Sequence, residues 1–211
     1  MIDLKGINAI IFDFGGVILN LDYMRTIRAF ENLGFADFKE WYTQAQQDSV
    51  FDEIEVGAIS EDDFRTGIKE LGKIEISDVQ FDNAWNAMLL DLPEERLSLL
   101  SSLKEQKRVF LLSNTNVIHA RCFKNSIRLE HRGAELQSYF EAAYYSHEMG
   151  LRKPNPEIFQ KLIERHGLDP TETLFIDDSI QHIEGAKLCG LQVHHLTQGQ
   201  TIEALFGLQI S

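Results

Sequence analysis

The sequence predicts an α/β fold, with a parallel-sheet core and an inserted, all-helical cap subdomain. Short apolar runs that end in acidic or small residues, separated by helical patterns, predict the core. A long interval without strand-like segments, between the first two runs, predicts the insertion.

Three apolar runs are typical of buried strands. They cover residues 8–14, 108–114 and 173–179, and each ends in acidic or small polar residues. Continuous apolarity over so few residues indicates a parallel strand that is buried on both faces. Residues 143–148 and 191–196 are weaker strand candidates.

Helical patterns lie between these strands. Residues 156–165 carry an apolar stripe at helical spacing and are followed by Gly167, a natural helix end. Residues 179–188 predict another helix, closed by Gly190. Strands that alternate with helices predict a Rossmann-like sheet with right-handed crossovers.

The interval from Leu21 to Leu92 breaks this alternation. Apolar residues recur there at helical spacing, Ser60 is a candidate N-cap, and Ser77 and Gln80 match a capping box. We therefore expect two units: a core formed by residues 1–20 and 93–211, and an all-helical cap formed by residues 21–92.

Charge restricts the partners of the chain. Its 211 residues include 20 Lys and Arg against 33 Asp and Glu, which gives a formal net charge of −13. This balance disfavours nucleic acid and anionic membranes as partners. No apolar run has the length of a membrane span, and no signal-peptide pattern precedes Asp13, so a cytoplasmic location is expected.

Candidate site residues follow the predicted strands. They are Asp13, then Ser113 with Asn114, then the adjacent pair Asp177 and Asp178, with Lys153 in a loop before a helix. Each segment alone also fits a turn or a helix cap. Gathered at one sheet edge, however, the carboxylates would repel one another unless a cation lay among them. Carboxylate and carbonyl oxygens suit Mg²⁺, while Lys153 and the polar groups suit a phosphoryl group.

The motifs resemble a known family. The segments at residues 11–18, 111–115, 152–154 and 175–178 read IFDFGGVI, LLSNT, RKP and FIDD. In this order they are similar to motifs one to four of the haloacid dehalogenase (HAD) superfamily, in a branch with a helical cap. That branch includes bacterial sugar-1-phosphate phosphatases and the phosphatase domain of soluble epoxide hydrolases.

The resemblance implies a mechanism. Asp13 would attack phosphorus and form an aspartyl-phosphate, and Lys153 would neutralise both Asp13 and the phosphate. Ser113 and Asn114 would bind phosphate oxygens. Mg²⁺ would be held by the Asp13 carboxylate, the Gly15 carbonyl and Asp178. Asp177 would assist directly or through water. The expected substrate is a small phosphorylated metabolite, preferentially a sugar phosphate, and the sequence indicates no oligomeric state.

Gly15 departs from the family pattern. Most phosphatases of this superfamily have there a second aspartate that protonates the leaving oxygen. Asp22, Glu53 and Glu55 are candidate replacements, and a substrate with a good leaving group is another explanation. A metal-independent 2-haloacid dehalogenase and a weakly catalytic, metabolite-binding regulatory protein are the alternative functions. His182 is interpreted as a histidine on a helix surface.

Overall fold

The computed structural model describes residues 1–35, 38–43, 46–47 and 49–207, with the backbone alone at residues 41, 43, 46, 47 and 49. The predicted domain ranges also include residues 36–37, 44–45, 48 and 208–211, which lie outside the described residues.

The described residues form strands and helices in the alternation expected of an α/β protein. The strands are β1 Ala9–Phe12, β2 Tyr42–Thr43, β3 Gln46–Gln47, β4 Arg108–Ser113, β5 Ala142–Tyr145, β6 Thr173–Asp177 and β7 Gln192–His195. The α-helices are α1 Tyr23–Asn32, α2 Phe38–Trp41, α3 Ser49–Glu55, α4 Glu61–Gly72, α5 Asp78–Asn86, α6 Glu94–Lys104, α7 Val117–Glu130, α8 Ser146–Met149, α9 Pro156–His166, α10 Ile180–Leu188 and α11 Ile202–Phe206. Short 3-10 helices cover Leu136–Tyr139 and Pro170–Glu172.

Five strands form one parallel sheet in the order β5-β4-β1-β6-β7. The predicted parallel α/β core is therefore confirmed, including the two weaker strand candidates. Strand β1 is central, between β4 and β6, so the segment that follows it is flanked by the ends of both neighbours. This position at the carboxyl ends of parallel strands is where open α/β sheets bind ligands.

The sheet is buried on both faces. Alternate residues of β1 belong to separate apolar clusters: Ile10 and Phe12 to one, Ile11 to the other, together with Phe110 and Phe175. Because successive side chains of a strand point to opposite faces, helices must cover both sides of the sheet. This explains why the core strands are continuously apolar.

The segment between β1 and α6 packs around a cluster of its own, rich in aromatic rings. Phe30, Phe51, Phe64 and Trp85 are among its buried members. The expected helix starts are present, because Ser60 accepts a hydrogen bond from Asp63 N and the capping box of Ser77 is formed. A helical insertion agrees with this packing, while the division at residues 21 and 92 stays a prediction.

The prediction that the insertion is all-helical is wrong in one detail. Strands β2 and β3 form a small antiparallel pair, with Tyr42 opposite Gln47 and Thr43 opposite Gln46. Two residues a strand are too few for an alternating pattern to be read from a sequence. None of the helices in the described part of the chain combines the length and apolarity that crossing a membrane requires.

Candidate active site

Asp13, Ser113 and Asp177 meet at one edge of the sheet. Ser113 and Asp177 end β4 and β6, and Asp13 follows β1 directly. The backbone N–H of Asp13 donates to the Ile176 carbonyl at 2.9 Å, which extends the ladder one residue beyond β1. The predicted convergence of these segments is therefore observed, and the backbone of Asp13 is held by the sheet itself.

Lys153 lies between two carboxylates. Its Nζ is 2.8 Å from Asp13 Oδ1 and 2.7 Å from Asp177 Oδ2, and its side chain is fully buried. Burying an unpaired ammonium would cost on the order of several kcal/mol, and the two acids offset this cost for Lys153. The loop that carries Lys153 is packed tightly, because a Cβ on Gly185 of α10 would lie within contact distance of the Pro154 carbonyl.

Lys153 favours the ionised forms of both acids, whereas Asp177 disfavours that of Asp13. Burial alone would lower the pKa of Lys153, but Asp13 and Asp177 outweigh it and raise that pKa, so the ammonium persists. Burial and the nearby Asp177 raise the pKa of Asp13, against the opposing effect of Lys153. Burial also opposes ionisation of Asp177, but Lys153 and His182 prevail and lower its pKa.

Asp177 is held from several directions. Besides Lys153, its carboxylate accepts from Ser179 N at 2.8 Å and lies 3.0 Å from His182 Nδ1. The interpretation of His182 as a mere helix-surface residue is therefore wrong, since it contacts Asp177 and lines the cavity described below.

Asn114 is engaged with the Lys153 loop. Its Oδ1 accepts from Lys153 N and its Nδ2 donates to the Lys153 carbonyl, both at 2.9 Å. Ser113 Oγ donates weakly, at 3.4 Å, to the Asn114 carbonyl. Asn114 also lines the cavity, and its second amide hydrogen is not needed for the Lys153 pair. Direct binding of phosphate by Ser113 and Asn114 stays a prediction.

The two glycines after Asp13 leave room for other groups. A Cβ on Gly15 would lie 2.6 Å from Leu21 Cδ1, so Leu21 occupies the space of the missing aspartate. Gly16 has φ +78°, and a Cβ there would overlap Asp178 Oδ2. Since L-residues rarely adopt this φ, glycine is required on both grounds at position 16.

The acidic groups fit a hard divalent cation. Ligand atoms of Asp13, Asp177 and His182 lie within 4.8 Å of one another, and Asp178 and Gly15 adjoin Asp13 in the same cavity. The protein around Asp178 desolvates its carboxylate, and Asp13 and Asp177 repel it. Both effects raise the pKa of Asp178, to about 7, although the group is open to the solvent of the cavity. A bound cation would relieve this repulsion.

A cavity of about 420 Å³ lies above these groups. Asp13, Gly15 and Asp178 line its floor, and the insertion supplies the roof with Tyr42 and Glu55. The cavity is of the size that small-molecule sites have. Many of its walls are polar; they include Tyr23, Asn114, Arg152, Gln181, His182 and His195.

The loop before Lys153 joins the core to the roof. Arg152 forms ion pairs with Asp52 and Glu55 of α3, and its Nε lies 3.2 Å from Glu55 Oε2. Burial raises the pKa of Glu55 to about 7, with Lys153 opposing and Asp13 reinforcing the shift. The sequence placed Glu55 among three candidate acids, and the structure brings it to the cavity.

Comparison with known proteins decides the family. Residues 7–190 match the haloacid dehalogenase-like hydrolase family. This chain belongs to that family. The predicted membership of the HAD superfamily is confirmed, and so is the predicted enzyme class, a hydrolase whose relatives act on phosphate esters.

Two similar proteins come from Bacteroides thetaiotaomicron. A D-ribitol-5-phosphate phosphatase is 33% identical over 195 residues, which cover 92% of this chain and 93% of that protein. A crystal structure of a HAD family enzyme, a variant in complex with magnesium and inorganic phosphate, is 39% identical with a TM-score of 0.90. The matched region covers 95% of the present chain and 98% of the Bacteroides enzyme.

A dehalogenase shares the fold. The structure of the L-2-haloacid dehalogenase of Xanthobacter autotrophicus superimposes with a TM-score of 0.61 at 18% sequence identity. The match covers 97% of the present chain and 84% of the dehalogenase. Identity at this level shows the common architecture and says nothing of the reaction.

Proposed function

We propose that this HAD family member is a magnesium-dependent phosphatase that hydrolyses a small phosphorylated metabolite through an aspartyl-phosphate on Asp13. The observation that carries the proposal is the placement of Lys153 Nζ between Asp13 and Asp177 beneath the cavity. A buried ammonium beside a carboxylate nucleophile favours binding of an anionic phosphoryl group.

Each residue of the floor has a role in this proposal. The Asp13 carboxylate attacks phosphorus, and Lys153 offsets the negative charge that collects between nucleophile and phosphate. Ser113 and the free amide hydrogen of Asn114 bind phosphate oxygens. Asn114 also fixes Lys153 through its two backbone hydrogen bonds.

Magnesium would be held by Asp13, the Gly15 carbonyl and Asp178. When bound, the ion supplies Lewis-acid stabilisation of charge on the phosphoryl oxygens. Asp177 already accepts hydrogen bonds from Lys153 and Ser179 and lies beside His182, which favours an indirect role for it. The magnesium complex of the similar HAD family enzyme from Bacteroides thetaiotaomicron supports magnesium as the cation.

A sugar or polyol phosphate fits the cavity. Its size suits a metabolite of that class, and its tyrosine, amide and arginine side chains can bind hydroxyl groups. The D-ribitol-5-phosphate phosphatase supports the same substrate class. Asp178 disfavours the dehalogenase alternative, because Lys153 pairs with Asp13 and Asp177 instead and a halide-releasing pocket would avoid a carboxylate left uncompensated.

Phosphate release from a substrate panel tests the proposal. The panel contains D-ribitol 5-phosphate and hexose 1- and 6-phosphates, assayed with Mg²⁺ and with EDTA for the wild type and Asp13→Asn. We expect turnover that needs Mg²⁺ and that falls by at least about 10⁴-fold in Asp13→Asn, since the nucleophile is removed. Chloride release from 2-chloropropionate in EDTA, without phosphate release from any ester, would contradict it.

A further inference from the structure

The leaving oxygen needs a proton, and the two carboxyl groups in the floor of the cavity, Asp13 and Asp178, are the proposed nucleophile and a proposed magnesium ligand. In an in-line displacement the leaving oxygen departs on the side of phosphorus opposite to the attacking Asp13 carboxylate. Asp13 lies in the floor, so the leaving oxygen faces the insertion. The position of the family's second aspartate, Gly15, has no side chain, and Leu21 fills its space.

Among the described residues that line the cavity, the insertion contributes Leu21, Tyr23, Tyr42 and Glu55. Glu55 is the one of these with a carboxyl group. Tyr42 is unsuited to donate a proton near neutral pH, because burial, reinforced by Tyr23 and Glu55, raises its pKa well above the ordinary value.

The carboxyl of Glu55 has an oxygen to spare. Its Oε2 is buried and makes no hydrogen bond to any described residue, although Arg152 Nε is 3.2 Å away. Arg152 Nε is equally without a hydrogen bond, so the two form an ion pair of poor angular geometry. An unsatisfied buried polar atom is unfavourable, and a hydrogen bond from a substrate hydroxyl would satisfy it.

The other two candidate acids are placed less well. Asp22 caps α1, with its side chain accepting from Met24 N at 3.0 Å, and that side chain is 40% exposed. Glu53 is on α3 but is exposed to solvent. The geometry therefore separates Glu55 from both.

We propose that Glu55 is the general acid and base of this enzyme, replacing the aspartate that is absent at Gly15. This inference rests on the proposed phosphatase function and extends it to the proton transfers.

The two half-reactions balance with Glu55 in this role. As Asp13 Oδ bonds to phosphorus, the bond from phosphorus to the ester oxygen breaks, and that oxygen takes the Glu55 proton and leaves as an alcohol. The Glu55 carboxylate then takes a proton from water as the water oxygen bonds to phosphorus. The bond from phosphorus to Asp13 breaks, which releases inorganic phosphate and restores both side chains.

The surroundings suit a group that alternates between two protonation states. The pKa of Glu55, about 7, lies near working pH, where proton transfer in both directions is most efficient. The charged groups that affect Glu55 are Lys153, which opposes the shift, and Asp13, which reinforces it. Arg152 pairs with its oxygen.

The helices packed against α3 add little charge to this environment. On α8, burial lowers the pKa of His147, which favours the neutral imidazole, and Glu148 lies 3.7 Å from the Lys124 ammonium. Arg65 and Lys69 of α4 pair with acids of α4 and α5 instead, at 2.6–2.9 Å.

Dependence on the leaving group tests the proposal. An alkyl ester such as D-ribitol 5-phosphate needs a proton on its leaving oxygen, whereas p-nitrophenyl phosphate releases a stable phenolate. We expect Glu55→Gln to lower kcat/KM by about 10²–10⁴-fold for the alkyl ester and by less than about tenfold for the nitrophenyl ester. Glu53→Gln, on the same helix but exposed, should change neither.

The pH profile is a second readout, which needs no variant. Glu55 must be protonated in the first step, so wild-type kcat/KM for the alkyl ester should fall as pH rises through about 7. The nitrophenyl ester should lack this fall. Equal losses for both esters in Glu55→Gln, or equal pH profiles, would overturn the role of Glu55 while leaving a phosphatase. A wild type inactive on every ester would overturn the proposed function and this role together.

Discussion

The floor and the roof of the cavity are built differently. In the floor, Lys153 joins Asp13 to Asp177, and Asp177 also accepts a hydrogen bond from Ser179 N. At the roof, Glu55 Oε2 and its neighbour Arg152 Nε, from the loop before Lys153, are buried and make no hydrogen bond to the described residues. The floor is therefore organised before substrate arrives, whereas the roof has polar groups still to be satisfied.

This difference agrees with the separate demands on the two parts. Charge that develops on phosphorus is stabilised best by groups that are already fixed, because no reorganisation is then needed during the reaction. The roof must recognise the remainder of the substrate and exchange protons with it, so unpaired groups there are useful. Substitutions in the two parts should consequently have unequal effects.

The largest effect on stability is expected at Lys153. Replacement by Met leaves Asp13 and Asp177 as buried carboxylates without their cation, which should lower the free energy of unfolding by about 3–5 kcal/mol at neutral pH. Urea unfolding measures this loss. The matched control is Lys161→Met, whose ammonium pairs with Glu157 at an exposed position and should cost less than about 1 kcal/mol.

The same loss should depend on pH. The pKa of Asp177 is lowered in the folded protein, so the stability it contributes is present above its ordinary pKa and is lost as pH falls through the lowered value. In Lys153→Met this contribution disappears, so the gap in unfolding free energy between the two proteins should narrow as pH falls below about 4. A gap that stays constant with pH would show that packing of the lysine stem, and not its charge, stabilises the floor.

The residues of the floor could be predicted from the sequence for a physical reason. Parallel strands bring their carboxyl ends to one edge, so Asp13, Ser113 and Asp177 could be placed together once the strands were recognised as apolar runs. Lys153 came from a loop, and its position depended on the family motif. The bridge it forms between two acids was not predictable from spacing.

The residues of the roof could not be predicted in the same way. Glu55 ends a seven-residue helix whose approach to the sheet is set by ring packing, such as the stack of Phe51 on Trp85 with centroids 5.8 Å apart. Neither that packing nor the pair with Arg152, 97 residues later in the chain, leaves a local pattern. His182 was missed because a histidine in the first turn of a helix has no pattern that distinguishes a contact with Asp177 from a surface position.

Gly16→Ala should affect catalysis more than folding. The new methyl group would meet Asp178 Oδ2 and displace a proposed magnesium ligand. Displacements of about 1 Å in such sites can cost about 10²-fold in rate, and we expect at least that loss in kcat with a higher Mg²⁺ requirement. Steady-state assays over a range of Mg²⁺ concentrations measure both.

Gly199→Ala is the matched control for that variant. Gly199 has φ +84°, close to the +78° of Gly16, but no atom lies within 4 Å of the position of its added Cβ. Both variants should lose about 1–2 kcal/mol of stability from the left-handed backbone, and Gly199→Ala should keep its activity. Comparable activity in the two variants would argue against a metal ligand at Asp178.

The smallest effect is expected at Arg152, which lies in the loop before Lys153 and pairs with Glu55 of the roof. Its side chain is 25% exposed, and its partners Asp52 and Glu55 are 51% and 20% exposed, so solvent screens these ion pairs. We expect Arg152→Gln to change the free energy of unfolding by less than about 1 kcal/mol. KM should rise by up to about fivefold, because Arg152 lines the cavity, and kcat should change by less than that, because Arg152 neighbours Glu55 but pairs with no group of the floor. The exposed pair of Arg25 with Asp22 supplies the control, Arg25→Gln, which should leave KM unaltered. A loss of kcat as large as that of Gly16→Ala would place Arg152 functionally in the floor and end the distinction between the two parts.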